Sequence, residues 1–212
     1  MADHALDTTA AERPVAQTKT LRRLTRSLDA LVAANDDPHV IAARAGMLLG
    51  RALADPGLLE ARHQEPADDR YRQHLVHVHP LGRYSIVALV WKPGQATPIH
   101  DHVCWCVVGV WRGLERETTY RLYGDGDSPY LVPHGAAKSY PGDVSVLVPP
   151  EEDIHLVENA GDEIAVSIHV YGDDISVLGT SINHRFEADL VRTRPTSGRA
   201  APISWREFAA AR

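Results

Sequence analysis

Nowhere in this chain does an apolar run approach the length of a bilayer span. The longer ones, such as Tyr84-Ser85-Ile86-Val87-Ala88-Leu89-Val90-Trp91, suffice for a strand and exclude a transmembrane helix. Cysteine is nearly absent: Cys104 and Cys106 are the two present, and at i and i+2 of an extended strand they do not close a disulfide. A reducing cytoplasm is therefore the expected compartment. Positive charge is in deficit, with 22 Lys and Arg against 28 Asp and Glu and a formal net charge of -6. That balance argues against a partner bound through its phosphates, so neither nucleic acid nor membrane is expected. The opening MADHALDTTAAERPVAQ lacks a basic start, an apolar block and a cleavage site, and no secretory signal is expected from it. Internal repeats and low-complexity linkers are also missing, which excludes a modular array.

What is present is an ordinary globular composition, 44% hydrophobic and 24% charged over 212 residues, enough for one domain with a full core. Residues 1–17 are polar and aperiodic and are expected to form a loose tail. Residues 18–212 are expected to form a single domain. Leu21, Leu24, Leu28, Leu31 and Val32 recur at helical spacing behind Thr18 or Thr20 as a cap. Asn35-Asp36-Asp37-Pro38 breaks that helix, and a second runs through Ile41 to about Leu53, so that helices occupy 18–62. From residue 70 the period changes to two. Strands are expected at 72–79, 83–91, 103–111, 114–124, 129–133, 143–148, 154–158 and 163–171, divided by turns such as Pro141-Gly142-Asp143. Many short strands at regular spacing predict a mainly β, antiparallel barrel or sandwich over 70–175. The stretch from 181 onward is less regular, with a short helix expected near 205–211.

Twelve histidines give the chain its chemistry. His39 and His63 lie in polar surroundings and are expected at the surface. His100 and His102 are different: two apart on a strand they share a face, with Asp101 opposite, and two imidazoles so placed chelate one metal or hydrogen-bond in a core. His155 begins another strand. Further on, Ser167, His169 and Tyr171 alternate with Val166, Ile168 and Val170, so the three polar groups share a face. That face is either the solvent side or an interior chain of hydrogen bonds.

The spacing Gly94-x5-His100-x-His102-x3-Cys106-x6-Gly113 resembles the first cupin motif, with Cys106 where a glutamate is usual. Pro150-x4-His155-x3-Asn159 resembles the second, with Glu152 in place of a glycine. Together they imply a cupin, a small antiparallel β-barrel or jelly roll with a metal in its mouth. Combined with Ser167, His169 and Tyr171, the chain resembles the thiol dioxygenases, the family of cysteine dioxygenase and 3-mercaptopropionate dioxygenase. The resemblance implies an Fe(II) enzyme that adds both atoms of O2 to the sulfur of a small thiol. It implies His100, His102 and His155 as metal ligands and Ser167, His169 and Tyr171 as a catalytic relay. In the animal members a cysteine near the position of Cys106 is joined to the relay tyrosine by a thioether, which implies a Cys106–Tyr171 cross-link here, with a one-residue gap around Trp105.

The substrate's polar group is less readily placed. The family binds it through an early strand, where Gln73 stands with Arg72 beside it, and Tyr171 is a third candidate contact. Glutamine at 73 is similar to the 3-mercaptopropionate group, but that group carries an arginine about nine residues after the relay tyrosine, where this chain has Thr180. Arg185 reaches the site only in a different register. Mercaptosuccinate or ergothioneine therefore stand beside cysteine and 3-mercaptopropionate as candidates. Two rival readings remain: another cupin dioxygenase acting on carbon, and a non-enzymatic cupin whose zinc is closed by Cys106 as fourth ligand. Trp91 and Trp105 are expected to pack the core.

Overall fold

In the computed structural model, residues 17–125, 128–150, 153–195 and 202 are described. Apart from Gln17, the expected tail falls outside them, as do the expected terminal helix at 205–211 and Glu152 of the second motif.

Two helices open the fold. Helix α1 (Lys19–Ala34) is capped by Thr18, whose side chain accepts the Leu21 N–H, and it buries the face formed by Leu21, Leu24, Leu28, Leu31 and Val32. Fully burying each such side chain is worth roughly 1.5–3 kcal/mol. Asp37 caps α2 (Pro38–Leu53) by accepting from His39 N, and Pro38 at its first turn is pre-set for the helix. A short 3-10 turn, Ala61–Gln64, leads into the strands.

The strands form two five-stranded antiparallel sheets. One contains β1 (Arg72–Val78), β2 (Ser85–Trp91), β9 (Ala165–Tyr171), β4 (Cys106–Arg112) and β7 (Val144–Leu147), in that order. The other contains β10 (Ile182–Phe186), β3 (Ile99–His102), β8 (His155–Asn159), β5 (Glu115–Asp125) and β6 (Ser128–Ser139). A one-turn helix, α3 (Ile175–Leu178), links β9 to β10.

The helices lie on the outer face of the first sheet, so its central strands have no solvent side. Ile86, Ala88 and Val90 of β2 join the core made with α1 and α2, while Val87, Leu89 and Trp91 join a second core between the sheets. Strand β9 divides in the same way: Val166, Ile168 and Val170 face the helices, and Ser167, His169 and Tyr171 are buried on the inner face. The alternative of a solvent-facing Ser-His-Tyr row is thereby removed. Close approach of α2 needs Gly109 on β4, where a Cβ would come within 2.8 Å of Leu53 Cδ1.

Three expectations change. The strand predicted at 103–111 begins only at Cys106, as β4, and the histidines ahead of it stand on a separate strand, β3, in the other sheet; the chain bends at 103–105 to cross between them. Val103 N donates to Ser181 O, and Trp105 O accepts from Gly172 N, at that bend. Strand β10 was not foreseen, because it carries a bulge that breaks the alternation of its sequence. His63 is buried, 4% exposed, with its ring 6.1 Å from that of His74. Its polar neighbours in sequence turn outward while the 3-10 turn tucks the imidazole under β1 and β2.

Candidate functional site

His100 and His102 project from β3 on one face, and the register of β3 on β8 sets His100 directly opposite His155. The three ring centroids form a near-equilateral triangle, 4.8, 4.7 and 4.9 Å on a side, and one nitrogen of each ring lies within 4.8 Å of the others. All three are buried.

The other nitrogens decide which atoms face inward. His100 Nδ1 lies 2.9 Å from Pro98 O, and His155 Nδ1 lies 2.5 Å from Glu117 Oε1, which leaves Nε2 of both rings for the centre. Strand β3 is anchored beside them by Asp153, whose Oδ2 accepts the His102 N–H at 2.9 Å. His102 Nδ1 is 3.7 Å from the same oxygen, too long for a hydrogen bond, and is a buried nitrogen without a partner. Burial, together with the neighbouring imidazoles, holds His100 well below the ordinary histidine range; burial likewise lowers His102. Neutral imidazoles are the form that ligates a metal, so this donor set fits a divalent transition metal. Glu117 is balanced between burial, which raises its carboxyl, and contact with His155, which with the neighbouring charges lowers it further, so the net shift is downward. An anionic partner of this kind fixes ring orientation and raises ligand basicity.

Cys106 is not a member of this cluster. Its side chain is fully buried beside His169, Sγ to Nδ1 3.9 Å, and it is the cross-strand partner of Tyr171 in the β4–β9 register. Burial pushes its thiol well up, so it is protonated. The expectation of a fourth, cysteine ligand closing the site is not met in this arrangement.

Ser167, His169 and Tyr171 form a continuous chain: Ser167 Oγ to His169 Nε2 is 3.0 Å, and His169 Nδ1 to Tyr171 OH is 3.0 Å. Burial, with His102 and His155 nearby, lowers His169 to about 3, so the ring is neutral and carries one N–H. Burial likewise raises Tyr171 well above the ordinary phenol range, keeping its proton in place. Trp91 Nε1 donates to Ser167 Oγ at 3.2 Å, and its indole stacks on Tyr71 at 4.4 Å between centroids. Trp91 is thus core, as expected, and also the floor beneath the relay.

The three histidines line one cavity together with His169 and Tyr171 of the relay. Gln73 lines it, as do Thr180 and Ser181. Arg72 does not. Alternation along β1 turns it to the other face, 3.6 Å from Glu65 Oε2, so the expectation of a cavity arginine there is corrected. Arg185, also outside the lining, stands nearer the histidines. The β10 bulge gives three residues of β10 for two of β3, pairing Ile182 with His102 and Arg185 with His100. Directly paired residues share a face. Arg185 therefore rises on the histidine side, exposed, and close enough to Tyr71 for its charge to act on the phenol.

Over residues 60–179, more than half its length, the chain matches the family described as cysteine dioxygenase type I. The chain belongs to that family. Cysteine dioxygenase type I enzymes are dioxygenases that act on a thiol and O2, and the three-histidine centre gives this member a metal site. The two antiparallel sheets described above are those of a cupin, the superfamily to which the cysteine dioxygenase family belongs. Similar solved structures include a double-stranded β-helix protein from Klebsiella pneumoniae, 19% identical over 57% of this chain and 87% of that one, TM-score 0.40. An RmlC-like cupin from Desulfovibrio desulfuricans is 24% identical over 56% and 95%, TM-score 0.39. Oxalate decarboxylase from Bacillus subtilis is 19% identical over 53% and 28%, TM-score 0.39.

Glu117 and Asp153 escaped the sequence reading, and Arg185 entered it only as a residue needing a different register, which the β10 bulge supplies. For Glu117 the signal existed: alternation in the predicted strand 114–124 sets Glu115, Glu117 and Thr119 on one face, but acidic residues flanking Arg116 look like a solvated edge.

Proposed function

We propose that this protein is an Fe(II)-dependent thiol dioxygenase that converts a small-molecule thiol to its sulfinate in the cytoplasm. Both oxygen atoms of O2 go to sulfur, and no external reductant is consumed. The observation that carries the reading is one cavity lined by the three histidines and by His169 and Tyr171 of the buried Ser167-His169-Tyr171 chain, in a member of this family. A ferrous ion held by His100, His102 and His155 would keep positions open for thiol and O2, acidify the thiol and supply the redox chemistry. Three uncharged ligands favour an anionic thiolate there, since nothing in the set offsets the metal's charge.

The protein's own groups orient the reactants. Tyr171 presents its hydroxyl to the cavity, held by His169, and is the hydrogen-bonding group nearest the reacting thiol. Gln73 and Arg185 face the opposite end of the substrate, Gln73 as a neutral amide in the wall and Arg185 as a cation at the rim. Arginine binds a carboxylate in two parallel hydrogen bonds, so the pair suits a thiol bearing a carboxylate. Cys106 and Tyr171, adjacent across β4 and β9, are placed to form the thioether: a bond from sulfur to the phenol ring, with loss of two hydrogens and O2 as oxidant.

Oxygen uptake by the anaerobically Fe(II)-loaded protein tests the proposal, with cysteine, 3-mercaptopropionate, cysteamine, mercaptosuccinate and ergothioneine as substrates. Thiol-dependent uptake, a sulfinate identified by mass, and loss of both in His155→Ala are expected. A loaded protein that takes up no oxygen with any of these thiols would sink the reading in favour of a carbon-directed cupin.

A further inference from the structure

A second, small cavity shares His155 and Val157 with the first and is bounded also by Glu115, Glu117, Asp143 and Ser145. Glu115 is its unusual member. It is 3% exposed, its Oε1 has no hydrogen-bond partner, and its carboxyl lies beside Ser167 and the Trp91 indole, at the inner end of the relay. A buried carboxyl with an unused oxygen costs free energy, and it adjoins the one group through which it could act on Tyr171.

We propose that Glu115 is a positioning residue that sets the direction of the Ser167–His169–Tyr171 hydrogen-bond chain. The neutral His169 ring has one proton to place, so the chain has two directions. When Glu115 is a carboxylate it accepts the Ser167 O–H. Ser167 Oγ then accepts the hydrogen bond donated by His169 Nε2–H, His169 Nδ1 accepts the Tyr171 O–H, and the phenol offers lone pairs to the cavity. When Glu115 is protonated it donates to Ser167, Ser167 donates to Nε2, and His169 Nδ1–H donates to the phenol oxygen. Tyr171 is then free to donate into the cavity. The Trp91 N–H to Ser167 Oγ survives in both arrangements, because the hydroxyl oxygen has two lone pairs. One proton on Glu115 thus reverses three hydrogen bonds.

The surroundings put that proton in play near neutrality. Burial raises the Glu115 carboxyl, Ser167 lowers it, Glu117 raises it and Trp91 lowers it, leaving it at about 7. The groups around it are Glu117 on its own strand, Asp143 and Ser145 from the β7 side, His155 on β8, and Ser167 leading to His169 on β9. The consequence for turnover rests on the thiol dioxygenase reading, whereas the direction of the chain does not.

The test is therefore made on the metal-free, full-length protein, by nitrogen-15 NMR of labelled histidine, following the His169 tautomer from about pH 5 to about pH 9. The expected result is a change from Nδ1–H to Nε2–H as pH rises, with the midpoint matching that of the Glu115 carboxyl carbon. In Glu115→Gln the tautomer should be independent of pH, while in Glu117→Gln the change should persist. A His169 tautomer that ignores pH in the unmodified protein would overturn the proposal. So would a change that survives in Glu115→Gln, or carboxyl and tautomer midpoints that differ in the unmodified protein, a comparison that needs no variant to fold. Failure of thiol-dependent oxygen uptake leaves these results standing and counts against the proposed reaction alone.

Discussion

Glu117 Oε1 and His155 Nδ1 lie 2.5 Å apart across β5 and β8, and this contact orients a ring of the metal centre. Carboxylate partners of ligating histidines typically contribute ten- to a hundred-fold to metal affinity, so Glu117→Ala should weaken Fe(II) binding by about that factor. Glu117→Gln, which keeps an acceptor but removes the charge, should fall between. Metal titration under anaerobic conditions reads both, and equal affinity in all three proteins would show that the contact is incidental.

Arg185 is the β10 cation paired across the sheet with His100. Its removal in Arg185→Ala should raise KM for 3-mercaptopropionate and mercaptosuccinate by about ten- to a hundred-fold, the worth of a hydrogen bond to a charged group. KM for cysteamine, which carries no carboxylate, should hardly change. Parallel losses for both kinds of thiol would remove Arg185 from substrate recognition.

The Cys106–Tyr171 pair makes a prediction about mass. Protein aged with Fe(II), thiol and O2 should contain a fraction lighter by two hydrogen atoms, absent from Cys106→Ser, with the cross-linked peptide carrying both residues. An unchanged mass after prolonged turnover would show that adjacency alone does not produce the bond.

His63 predicts an acid-sensitive fold. Burial first, then the charges of Arg62 and His74, lower it from 6.5 to about 4. Between those values the unfolded chain binds a proton that the folded chain refuses, so stability rises with pH across the window and is lost as pH falls through it. Urea unfolding of the metal-free protein should show a lower midpoint at about pH 5 than at about pH 7, with His63→Gln removing about 1–2 kcal/mol of the difference. His77, His100, His102 and His169, all lowered by burial, act in the same sense.

Sequence alone gave the two long helices, Thr18 as one of two candidate caps for the first, and most strands, because periods of 3.6 and 2 survive wherever a strand or helix has distinct faces. It gave His100, His102, His155, Ser167, His169 and Tyr171 because motif spacing fixes strand register. Contacts made between strands distant in sequence were hidden. Glu117 meets His155 only through the β5–β8 pairing, and Glu115 is buried only because that strand turns its acidic face inward. Arg72 and Gln73 were separable by alternation, yet which of them faced inward depended on the β1–β2 bulge and the position of the helices.

The β10 bulge carries a consequence for how such proteins diverge. The bulge is what lets Ile182 and Arg185, three apart in sequence, share one face; regularising the strand at Asn183-His184 without changing its length would turn Arg185 to the outer face and leave every group in the wall in place. Substrate preference in this barrel is therefore open to change by loss of a bulge, a route that comparison of aligned cavity residues would not register.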